Sequence, residues 1–151
     1  MKMIISDGFR LRELLEQELP ELLEHGKKAL NELALCDFSE APFIQWALVS
    51  MIHFVELERN APGKGEEYIQ MALRGISYAG ELATASIGRF GESFGRRALL
   101  NAIAHLECGV NDCLTYRRTQ TKAQLLEATA QLKLALVESI VAHEHLRERA
   151  A

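Results

Sequence analysis

Apolar residues recur along this chain at intervals of three and four, the spacing of one helix face, and no strand-forming stretch of any length interrupts them. Leu11, Leu14, Leu15, Leu19, Leu22, Leu30 and Leu33 make the first such stripe and predict a helix from about Gly8 to Leu35. Pro20 lies within it and should bend or divide the helix, because proline removes a backbone donor and crowds the preceding turn. Glu13, Glu16, Glu18, Glu21 and Glu24 take the opposite face, which reads as solvated surface.

Cys36 to Pro42 is the first break, and Asp37 with Glu40 has the spacing of a capping box. The second helix follows, over about 41–59. Its apolar side chains point in almost every direction: Trp46, Phe43 and Leu57 one way, Met51, Ile44 and Val55 another, Ile52 and Val49 a third. A helix apolar all round is normally enclosed by its neighbours, so this one is expected at the centre of the bundle.

After the turn cluster from Asn60 to Gly65, a third helix runs to about Ile87. Ala72, Gly75, Ile76, Ala79 and Ala83 give it a face of small residues, suited to close approach by a helix carrying bulky ones such as Trp46 and Phe43. A loop over Gly88–Gly95 is predicted next. A fourth helix then runs from about Gly95 to Tyr116, with Leu99, Ala102, Ile103, Leu106, Val110, Cys113 and Leu114 on one arc. Thr121 and Gln124 form a second capping box, opening a fifth helix that ends near Glu148. The pattern therefore predicts an all-α, single-domain bundle of about five helices spanning residues 1–151.

Composition agrees with a packed domain: 48% of the 151 residues are hydrophobic and 25% charged. The net charge of −4 argues against a protein that coats nucleic acid phosphates. Cys36, Cys108 and Cys113 make an odd number without paired spacing, and the apolar run at Met3–Ile5 is too short for a signal peptide. Both features suggest a reducing cytoplasm. The longest apolar stretch, Trp46 to Val55, is broken by Ser50 and His53 and is too short to span a bilayer.

Candidate chemistry is sparse. His53 and Glu56 lie one turn apart and offer half of a metal site; the commoner alternative is a buried histidine held by a polar partner. Arg97, Asn101, His105, Cys108 and Asp112 align along helix 4 opposite its apolar arc, which on an outer helix would face water. His143 falls on the main stripe of helix 5 and is expected to cap the core. Ferritin-like di-iron proteins need Glu-x-x-His, and no Glu here is followed by His at that spacing. His143 and His145 project to opposite faces, unlike the late histidine pair of DinB-like bundles. Arg97 and His105 stand too far apart for the Arg–His motif of HEPN-type ribonucleases. There is no phosphate loop, dinucleotide fingerprint or nucleophile elbow.

Three expectations remain. The segment from Gly88 to Arg97 holds Arg89, Phe90, Phe94, Arg96 and Arg97, a set suited to a protein partner or to an anion, unless its phenylalanines merely plug the bundle. Helix 5 carries a second apolar face, Leu126, Leu134, Val137 and Val141, expected to mediate self-association. The leading functional reading is a non-catalytic module that binds another protein, with no cofactor or metal. A metal-binding or enzymatic bundle centred on His53 and Glu56 comes second. An oligomer binding anions or nucleic acid through Arg89, Arg96 and Arg97 is third.

Overall fold

A computed structural model describes residues 12–14, 16–36, 38–60, 65–91 and 93–150, with the side chains of 59, 60, 89, 90 and 147–150 left aside. Five helices dominate them: α1 (Leu19–Leu33), α2 (Ala41–Asn60), α3 (Glu66–Phe90), α4 (Phe94–Thr119) and α5 (Lys122–Ala150). No strand occurs among the described residues, so the all-α bundle is confirmed.

The ends of these helices follow from local chemistry. The first predicted helix is divided as expected: α1 begins only at Leu19, with Pro20 in its first turn, where a missing N–H costs nothing. Helical residues 12–14 precede it. The predicted box pairs Asp37 with Glu40 and falls partly outside the described residues. Asp37 lies outside the described residues, and Glu40 sits at the N-cap itself, its carbonyl accepting from the N–H groups of Phe43 and Ile44 at 3.1 and 3.0 Å. Its side chain is buried, and Oε1 accepts from the Ser86 hydroxyl at 2.6 Å.

The predicted eight-residue loop after Ile87 is shorter in reality. Helix α3 continues to Phe90 and stops where Gly91 adopts a φ of +78°, a left-handed value that favours glycine. Ser93 then caps α4, its hydroxyl accepting from the Arg96 N–H at 3.2 Å. At the other end of α4, Gln120 takes the left-handed conformation and returns its N–H to the Tyr116 carbonyl. Thr121 does stand before the first residue of α5, but its hydroxyl donates to Thr119 Oγ1 rather than capping the helix.

Two antiparallel pairs, α2–α3 and α4–α5, share a core with α1 laid over α5 and α2. Helix α2 packs against all four others, as its apolar circumference predicts. Phe54, Met51, Leu48 and Ile44 from α2 meet Leu22, Leu30 and Leu33 from α1, Leu99 and Leu106 from α4, and Leu132 and Leu136 from α5. The small face of α3 does meet α2 closely. A Cβ at Gly75 would stand 2.8 Å from the Phe43 carbonyl oxygen and 3.1 Å from Ala47 Cβ. The bulky side chain expected there is elsewhere: Trp46 lies at the edge and is 36% exposed. Among the described residues no helix is long and apolar enough to cross a membrane.

Candidate interaction surface

Among the described side chains of the Gly88–Arg97 segment, Phe94, Arg96 and Arg97 do not form one patch. The side chains of Arg89 and Phe90 lie outside the described ones. Arg96 is turned inward, its guanidinium stacked 4.7 Å over the Phe38 ring and donating to the Ser86 carbonyl at 2.9 Å. Arg97, one residue on, points about 100° away around α4 and is exposed. Phe94 plugs nothing: it is 63% exposed, with its ring edge on His145 at 4.5 Å between centroids. Phe38 is the buried aromatic at this end.

The expected second face of α5 is also divided. Val137 is buried in the core, a correction to its placement at an interface, and Val141 packs against that core. Leu134 is half-buried, whereas Leu126 is 71% exposed. A helix apolar over more than half its circumference needs covering on several sides, and this chain supplies most of that covering itself.

His53 is corrected as well. It is exposed, not buried, and its ring lies 5.4 Å from that of Tyr68. Glu56 is exposed beside it, and no group of three or more His, Cys, Asp or Glu is placed to hold a metal among the described residues. His143 does cap the core, with Nε2 against the Glu32 carboxylate of α1.

Of the polar stripe of α4, Arg97, Asn101 and Cys108 are exposed as expected, whereas His105 and Asp112 are half-buried where α5 meets it. His105 Nδ1 and Gln131 Oε1 are 2.8 Å apart, so the ring donates if the amide oxygen is the facing atom. Glu138 accepts from Asn101; burial raises its carboxyl above the ordinary range, opposed by that bond and by His105. Asp112 is raised too, by partial desolvation and by the neighbouring Glu127. Cys113, on the buried side of the same helix, has its thiol pushed up to about 12 by burial, with Asp112 and Glu58 adding to the effect. At the end of α4 a shallow depression of about 580 Å³ is lined by Asn111, Leu114, Thr115, Arg117 and Arg118. All five of these described residues lie on α4, and Arg117 is engaged with Glu66 at 3.1 Å.

The α2–α3 pair differs. Phe43, Trp46, Ser50, His53 and Leu57 form one row of α2 at spacings of three and four; Tyr68, Met71, Gly75, Tyr78 and Leu82 form the facing row of α3. The rings of Phe43 and Tyr78 stand 5.2 Å apart, and His53 meets Tyr68 farther along, which fixes the antiparallel register. Midway, Gly75 and Ser50 are buried and small, so the seam sinks between its rims. Trp46, Met71 and Tyr78, the last 50% exposed, stand on those rims. The sequence contained the signal, since Tyr68, Met71 and Tyr78 recur at helical spacing beside the small stripe of α3. It becomes meaningful only once α2 is known to sit with Trp46 at the edge. No protein-family model matches this chain, and no curated protein or solved structure matches it either.

Proposed function

We propose that this protein acts by binding another protein, without catalysis, and that the α2–α3 seam is its contact surface. The supporting observation is the cluster of exposed side chains on two adjoining rows, Trp46, Met71 and Tyr78, beside the half-buried Phe43. Aromatic and methionine side chains are enriched at such interfaces, the aromatics because they supply large apolar area with few rotors and methionine because it adapts its shape. The polar edge of α4–α5, by contrast, is occupied with its own hydrogen bonds. Self-association is a second part of the proposal, through the outer side of α5 at Leu126, Leu134 and Val141.

Affinity capture from the native host, followed by mass spectrometry, tests the reading. A partner retained by the wild-type chain should be lost with Trp46→Asp and Tyr78→Asp but kept with Phe94→Ala and Arg97→Ala. The reverse pattern would move the contact to the α3–α4 junction, and a partner kept by all four variants would remove both surfaces from consideration.

A further inference from the structure

The charges beside the α2–α3 seam say what kind of partner fits it. Among the described side chains, Glu56, Glu67 and Glu81 flank the seam on its exposed sides, against the one basic side chain Arg74. The rows from Phe43 to Leu57 and from Tyr68 to Leu82 run about 21 Å at 1.5 Å per residue, the length of about 14 helical residues. A seam between two helices, low at Ser50 and Gly75 and edged by Trp46, Met71 and Tyr78, suits a third helix laid along it.

We propose that the seam receives an amphipathic helix whose apolar face packs between Trp46, Met71 and Tyr78 and whose flanks are basic. This inference rests on reading the seam as a protein-binding surface and adds the chemistry of the occupant. A second copy of the chain is disfavoured in the same place. It would bring the same acidic flank against itself, and the whole chain carries a net charge of −4.

Trp46 is the only tryptophan, so its emission reports occupancy of the seam directly. The experiment titrates the full chain with two tryptophan-free peptide helices of about 14 residues. Both carry one leucine face; the flanks are lysine in one and glutamate in the other. The lysine peptide should shift Trp46 emission to the blue, saturably, and bind roughly tenfold or more tightly than the glutamate peptide at low salt, with the gap closing as salt rises. Met71→Lys and Tyr78→Lys should each abolish the shift while circular dichroism stays helical.

Equal binding of the two peptides would overturn the basic partner yet leave the seam a docking surface. No shift with either peptide would overturn the seam itself. A wild-type dimer in sedimentation that Tyr78→Lys converts to monomer would overturn the proposal by placing a second copy there.

Discussion

The α2–α3 and α4–α5 pairs are built alike and finished differently. Each is an antiparallel pair of long helices, with one side in the common core and one seam toward solvent. Along α4–α5 that seam is closed by polar side chains that bond across it, Asn101 to Glu138 and His105 to Gln131. Along α2–α3 it is edged by Phe43, Trp46, Met71 and Tyr78, and backbone approaches backbone at Gly75. A polar edge satisfied within the chain costs little in water. An apolar edge of that size gains free energy when something covers it. The difference separates a surface that has done its work on folding from one available for binding.

The close approach at Gly75 offers the largest test. Gly75→Ala would drive a methyl against the Phe43 carbonyl and Ala47, neither of which can swing aside, and should cost about 1–3 kcal/mol in denaturant unfolding. On the other pair, Gly109→Ala would meet the tip of the flexible Met51 side chain. There the helix propensity of alanine, worth about 1 kcal/mol over glycine, should roughly offset the crowding. Equal losses at both positions would mean that the Met51 side chain of α2 yields no more readily than the α2 backbone beside Gly75.

Trp46→Asp and Tyr78→Asp come next, with an effect on binding rather than folding. Both side chains are at least one-third exposed, so each variant should stay folded while losing about 1–3 kcal/mol from the buried part of its ring, and partner capture should disappear. A collapse of the fold in either variant would make the edge a structural element.

Glu138 tests the polar side. Its folded pKa lies above its ordinary value, so the folded state holds the proton more tightly than the unfolded chain. Stability should therefore fall as pH rises from the ordinary carboxylate range through the raised value. Glu138→Gln should flatten that slope and raise the melting temperature slightly at neutral pH. A steeper slope in the variant would show that ionised Glu138 is instead favoured by Asn101 and His105.

The smallest effect concerns reactivity alone. Cys108 is exposed on α4, whereas Cys113 is buried with its thiol at about 12. A thiol reagent at neutral pH should label Cys108 in the native chain and reach Cys113 only on unfolding.

Helix type, number and approximate extent were legible in the sequence, because they depend on spacing and on breakers that act locally: Pro20 within the first stripe, the Asn60–Gly65 cluster, and the residues around Gly91. That α2 meets every other helix was legible too, although its row with Trp46, His53 and Glu56 stands open to solvent instead of being enclosed. The misplaced residues are those whose surroundings come from distant segments. His53 looked enclosed on an apolar helix but stands at its open edge. Val137 looked like the surplus of a second face but is covered by the chain itself. Arg96 and Arg97 looked like one cluster but stand about 100° apart around α4, and Phe38, far away in sequence, with the Ser86 carbonyl holds Arg96 inward. Periodicity assigns a residue to a side of its helix. Only the packing of helices against one another determines which side meets the core, a neighbour or water, and at α2–α3 it leaves an aromatic edge exposed.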